Sequence, residues 1–305
     1  NNFFDSPSIS NHKFLSSLSI INCQLNLEKI LPHFTSHDRS VQYANFSHNS
    51  FLSEAQITAF GDLEEIDLSL CSFTGKSLCS LFKLFSTISS SNGHIPSQVS
   101  FNELNLSDQE WNDFYSKLSS QEFTESISPV TKLRMLSWCN NKMNGKQIEI
   151  FIQFLSTKFP DISELGLSFS IQNSAIDISL PVLSKYFETH RISKLDFRGG
   201  NNSSFGPKIE SLLQALLNHG SIKMLDITGQ RAGSNCYTLL TQLVSTCLQE
   251  LRFDGNSPID SDIIKGFLTT LMESKLNYAD WPEKDIKECI SKIKLSSRST
   301  TITYF

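Results

Sequence analysis

Apolar residues return along this chain at one spacing: apolar-x-x-apolar-x-apolar-x-x-(Asn or Cys)-x-apolar. The clearest copy runs from Leu63 to Phe73, where Leu63, Ile66 and Leu68 lead, Cys71 fills the ninth place and Phe73 the last. The same places are taken by Leu15, Leu18, Ile20, Cys23 and Leu25, by Val41, Ala44, Phe46, Asn49 and Phe51, and by Leu133, Leu136, Trp138, Asn141 and Met143. Looser copies start at Phe101 (with Leu104, Leu106, Gln109 and Trp111), Ile162, Ile192, Ile222 and Leu248, and a decayed one runs from Leu276 through Ala279 to Trp281. The starts, from 15 to 276, lie on average about 29 residues apart.

Each leading apolar triplet predicts a short strand whose apolar side chains point inward and whose intervening side chains point out. A step of this length leaves room for a full helix after each strand. Helical stripes are plain at Ile148, Phe151, Ile152 and Leu155, at Ile209, Leu212, Leu213 and Leu216, and at Leu239, Leu240 and Leu243. Gly145, Gly206 and Gly233 stand before helices and Gly220 after one. The expected fold is therefore α/β: a horseshoe solenoid of about ten repeats, with parallel strands on the concave face and helices on the convex face.

The solenoid is expected over residues 15–274, after a remnant of a preceding repeat or flank at 1–14. A C-terminal cap follows at 275–295 and a flexible tail at 296–305. The Ser-rich stretch Ser86 to Ser100 reads as a surface loop that folding can spare, and shorter excursions at Ser168–Ser174 and Gly199–Phe205 predict a loop cluster on one face. At the ninth place Asn49, Asn141 and Asn256 suit a side-chain ladder that satisfies turn backbone, and Cys23 and Cys71 imitate it. Gln109, Ser170, Gly200 and Gln230 are expected to break it.

Composition narrows the function classes. Hydrophobic residues at 39% and charged ones at 19% suit a folded chain, and a net charge of −5 without a basic run disfavours nucleic acid or an anionic membrane as partner. Seven cysteines without a CxxC pair do not form a disulfide framework, and no apolar run is long enough to span a bilayer. A cytoplasmic location is expected, with any membrane or cytoskeletal association supplied by flanking regions. The residues 1–14 point to a fragment of a longer array.

Candidate chemistry is sparse. His33 and His37 are four apart, but Pro32, Thr35 and Ser36 read as a helix end rather than a metal site. Gly199-Gly200 lacks the Lys-Ser/Thr of a phosphate loop, and no serine sits in a nucleophile elbow. The sequons at Asn45, Asn105, Asn201 and Asn202 follow from a Ser- and Asn-rich composition. No catalytic, cofactor or metal site is expected, and the chain is not expected to be an enzyme. What remains is the outward strand face, where Glu65, Asp67, Glu103, Glu164, Asp196, Asp226 and Glu250 line up with Tyr43, Met135, Lys194 and Met224. These carboxylates read equally as a docking surface for a protein partner or as a face kept wet by charge.

The repeat over Leu15 to Glu273 resembles the ribonuclease-inhibitor type of leucine-rich repeat. That resemblance implies helices on the convex side. A protein-binding role is expected, with partners docking elsewhere, at the loop rim or through a homodimer of exposed convex helices, as the alternative to the strand face. Residues Leu251 to Lys294, where a strand runs into Trp281-Pro282 and then Asp285 and Ile286, are similar to the end of the repeat array in the CARMIL scaffolds. This second resemblance implies a cytoplasmic, actin-regulatory scaffold whose capping-protein-binding segment would lie beyond Phe305. The competing expectation is a GTPase activator of the kind acting on Ran, which uses the same repeat type.

Overall fold

The computed structural model describes residues 14–34, 40–53, 60–256, 261–274, 276–280 and 301–303. The pair His33 and His37, the segment Trp281 to Ile286 and the expected N-terminal remnant up to residue 13 have side chains outside the described set. Chain contacts divide the molecule into two compact units, Asn1–Asn141 with Ile150–Ile162, and Lys142–Glu149 with Ser163–Phe305.

In the first unit, β1 (Phe14–Ser19), β2 (Ser40–Asn45), β4 (Glu65–Asp67), β6 (Gln98–Ser100) and β7 (Met135–Ser137) pair in parallel in that order. Two-residue strands β3 (Ser50–Phe51) and β5 (Ser72–Phe73) form a second parallel pair. The register superposes one template place on the next: Leu18 opposes Ala44, Ala44 opposes Ile66, Ile66 opposes Val99 and Val99 opposes Leu136. Helices α1 (Leu27–Phe34), α2 (Gly75–Ser90), α3 (Asp108–Ser119), α4 (Gln121–Glu125) and α5 (Gly145–Lys158) alternate with the strands, and the unit boundary runs through α5.

The second unit repeats the plan with β8 (Glu164–Gly166), β9 (Lys194–Asp196), β10 (Met224–Asp226), β11 (Glu250–Arg252) and β12 (Tyr278–Asp280), all parallel. Leu165, Leu195, Leu225, Leu251 and Ala279 are the mutually opposed residues. Thr301–Thr303, expected within a flexible tail, forms β13 against β12. Helices α6 (Ile176–Thr189), α7 (Glu210–His219), α8 (Cys236–Thr246) and α9 (Ser261–Glu273) pack each on the next. Gly220 ends α7 in the left-handed conformation at φ 68°, which glycine adopts without a Cβ penalty.

The cores differ in filling. In the first unit Phe82 is surrounded by the rings of Phe85, Phe101, Phe114, Trp138, Phe154 and Phe159, with centroids 5.6–6.4 Å away. In the second, Leu165, Leu195, Leu212, Leu213, Leu225, Leu240, Leu243 and Leu251 carry the burial, with fewer aromatics. The helical stripes read from sequence are buried in both, Leu239 excepted, which is half-buried.

Two expectations fail at one place. Ser86 to Ser100 is not a spare loop: Ser86 is buried inside α2 and its hydroxyl donates to Ser128 O at 2.9 Å, Ile95 is buried, and Gln98–Ser100 is a strand paired on both sides. The copy thought to start at Phe101 is correspondingly displaced. Val99 and Phe101 fill the fourth and sixth places and Leu104 the ninth, because pairing with Ile66 and Leu136 fixes the register whatever the local leucine spacing suggests.

Candidate partner-binding face

The three-residue strands bury their middle residue, and most leave both flanks at least partly open, as in Glu65-Ile66-Asp67 and Lys194-Leu195-Asp196; Gly166 and Asp226 are buried flanks. In the first unit one outward row reads Ser17, Tyr43, Glu65, Gln98, Met135, and the other Ser19, Asn45, Asp67, Ser100, Ser137. This face is mostly uncharged. Tyr43 is 47% exposed, and no basic side chain among the described residues pairs with Glu65 or Asp67. Asp67 Oδ1 accepts the backbone N–H of Ser69 at 2.9 Å, and Asn45 Oδ1 that of Ser47 at 3.0 Å. These acceptors hold the turn after the strand, so part of the Asp/Asn signal at this place is structural.

Glu103 belongs to neither row. It lies in the turn after β6 with φ 51°, exposed, its N–H donated to Cys139 O at 2.8 Å. Its placement on the strand face was a product of the displaced register.

In the second unit the rows read Glu164, Lys194, Met224, Glu250, Tyr278 and Gly166, Asp196, Asp226, Arg252, Asp280. Here opposite charges meet. Lys194 Nζ stands 3.6 Å from Glu164, and Arg198 binds Asp196 through Nε at 2.9 Å and Nη2 at 3.0 Å while its Nε lies 3.8 Å from Asp226. The Ser168 hydroxyl also donates to Asp196. Arg252 lies over the Tyr278 ring, 5.6 Å from its centroid.

Asp226 is 5% exposed, and burial, with Asp196 close by, raises its carboxyl above the usual value despite the N–H of Thr228 and the nearby Arg198. Sequence reasoning passed over Arg198, which follows the sixth place and folds back over its own strand. Of the acids singled out, only Glu65, Asp67 and Glu250 stand on a strand face without an ion pair among the described residues.

Beneath the face a side-chain ladder ties each copy to the one before. Asn49, Asn141 and Asn256 donate from Nδ2 to Ile20 O (2.7 Å), Phe101 O (2.7 Å) and Ile227 O (3.1 Å), all sixth-place carbonyls. Gln230, expected to break the ladder, keeps it: Nε2 donates to Phe197 O at 2.6 Å and Oε1 accepts Phe205 N–H at 2.8 Å. Cys71 donates its thiol to Phe46 O at 3.2 Å, and burial pushes that thiol up to about 12, so the proton is retained. Cys79 and Cys236 are held protonated by burial in the same way.

No metal-type cluster of His, Cys, Asp and Glu occurs among the described residues, and no helix among them is long and apolar enough to cross a membrane. No protein-family model matches the chain, and no curated protein matches it. The reading of the face rests on geometry and charge alone.

Proposed function

We propose that the chain is a leucine-rich repeat array of the ribonuclease-inhibitor-like type, a solenoid that works as a non-catalytic, cytoplasmic scaffold for protein partners. The observation that carries this reading is the ladder. Five side chains at one template place, Asn49, Cys71, Asn141, Gln230 and Asn256, donate to the same carbonyl of the preceding copy. Within each unit a stack joined copy to copy is stiff and presents its outward rows as a recognition surface. Glu65 and Asp67 in the first unit, and Glu250 in the second, are the acids on these rows suited to a basic partner, whose approach they would steer at low salt. The narrower likeness to the CARMIL scaffolds stays a reading of the sequence, since Trp281, Pro282, Asp285 and Ile286 lie outside the described residues.

Affinity capture from cytosol at low salt tests the proposal, using the wild type and a variant with Glu65→Gln, Asp67→Asn and Glu250→Gln together. Loss of specific partners with the circular dichroism spectrum unchanged supports the strand face. An unchanged set of partners removes it. Accelerated GTP hydrolysis by small GTPases added to the same chain would overturn the non-catalytic part in favour of an activator.

A further inference from the structure

The turns after the strands share a feature that the strand-face reading does not use. At the eighth template place the backbone is left-handed in Asn22, His48, Leu70, Glu103, Asn140, Phe169, Gly229 and Gly255. Each N–H there, where paired, points into the next copy: Phe169 N donates to Arg198 O at 2.9 Å and Gly229 N to Asp254 O at 2.7 Å. Asn and Gly tolerate this conformation and a bulky aromatic does so poorly. Phe169 nevertheless occupies it at φ 56°, with its side chain 39% exposed rather than buried. His48, Leu70 and Glu103 share this place, so what sets Phe169 apart is a large ring left exposed there.

Its surroundings are built. The ring lies over Gly200, where a Cβ would stand 3.3 Å from it, and Arg198 sits above the ring with its guanidinium 5.8 Å from the centroid. Next along the turns come Gly199 and Gly229, packed so closely that a Cβ on Gly229 would meet Gly199 O at 2.6 Å. The ring therefore borders a shelf of bare backbone. Asn173 fastens the loops that carry this patch: its Nδ2 donates to Asn201 O at 3.0 Å, and its Oδ1 accepts Ser204 N–H at 2.8 Å. Arg231 Nη2 donates to Asn201 Oδ1 at 2.6 Å. A preordered aromatic flanked by arginine is the composition of an interface hot spot, and little entropy is lost when a partner settles on it.

The charge of the patch opposes that of the chain. Lys142 and Arg231 are exposed on these turns, Arg198 is matched by Asp196, and the nearby Asp254 accepts the N–H of Gly255 at 2.6 Å. A molecule of net charge −5 thus places an aromatic and two exposed cations on one rim.

We infer that the turn rim around Phe169, with Lys142 and Arg231, docks an acidic segment of a protein partner that sets an apolar side chain against the Phe169 ring and the Gly199–Gly200 shelf. This rests on the scaffold reading but moves the contact from the strands to the turns and reverses the sign of the partner's charge.

Selection of random displayed peptides on the immobilised full chain, followed by fluorescence polarisation with the enriched peptide, tests it. Peptides with carboxylates flanking an apolar residue are expected. Phe169→Asn, which suits the left-handed backbone, should weaken their binding about tenfold without lowering the melting temperature. Lys142→Glu and Arg231→Glu should each weaken it several-fold, and Glu65→Gln should not. A basic consensus sensitive to Glu65→Gln would overturn the rim and leave the strand-face scaffold standing. Acidic peptides indifferent to Phe169→Asn would overturn the rim as well, and no enrichment at all would remove both readings.

Discussion

The two units answer one sequence pattern with different physical means. The first fills its interior with rings, Phe82 and Trp138 among them, and leaves Glu65 and Asp67 without ion pairs among the described residues on a Ser-rich face. The second fills its interior with leucine and ties most of its outward acids to Lys194 and Arg198. Read by carboxylates alone, the second face, with Glu164, Asp196, Asp226, Glu250 and Asp280 against Glu65 and Asp67, is the more acidic. Its ion pairs offset much of that charge, and two of them, Lys194 with Glu164 and Arg198 with Asp226, join residues one copy apart.

The largest expected effect tests the first unit's continuity. Replacing Ser86–Ser100 by a Gly/Ser linker removes the last turn of α2 and the strand between β4 and β7, so cooperative thermal unfolding followed by circular dichroism should be lost. A variant that still melts cooperatively would show that the unit's strands do not depend on β6.

Next is the ring cluster. Trp138→Ala removes a fully buried side chain against Phe101, Phe114 and Phe151 and should cost about 3–5 kcal/mol in urea unfolding. Leu225→Ala in the second unit should cost about 2–5 kcal/mol, the overlap of the two ranges meaning that aromatic filling is an alternative rather than an advantage. A cost below 1 kcal/mol at Trp138 would contradict the close packing described.

Smaller is the ladder in the second unit. Gln230→Ala leaves Phe197 O and Phe205 N–H without their partner, and about 1–3 kcal/mol should be lost. Gln230→Asn, one methylene shorter, should recover only part of it, and full recovery would mean that the two bonds do not require the reach of glutamine.

The smallest effects separate the two faces by pH. Burial raises Asp226 above its usual 3.8, so the folded chain keeps that proton where the unfolded chain has lost it. Stability contributed by this group therefore falls as pH rises from the unfolded value through the folded one, and the penalty persists at neutral pH. Asp226→Asn should remove that decline and raise the melting temperature at pH 7. Glu65→Gln, on the unpaired face, should change stability by no more than about 0.5 kcal/mol. A lower melting temperature for Asp226→Asn at pH 7 would mean that the contact with Arg198 outweighs burial.

Legibility followed locality. Leu63, Ile66 and Leu68 announce an inward strand because a period of two is written in adjacent residues, and Ile148, Phe151, Ile152 and Leu155 announce a buried stripe because a helix brings them together without outside help. The fastening of one turn to the next by Asn49, Asn141 and Asn256 was legible too, since amides at a fixed place in a pattern have few other uses. Local spacing also misled: FNELNL has the right leucines, and it drew the fourth copy five residues too far along and carried Glu103 onto a face where it does not lie.

The sequence by itself determined which residues are inward, that strands alternate with helices, and where most copies begin, all consequences of side-chain direction along a single segment. Only the tertiary structure decided that Val99 opposes Ile66, that Gln230 reaches Phe197 O, that Arg198 covers Asp196 and Asp226, and that Phe169 stands exposed over Gly200. Most of these join neighbouring copies, and all depend on backbone register and turn conformation, which hydrogen bonds between strands set and which no pattern within one segment encodes.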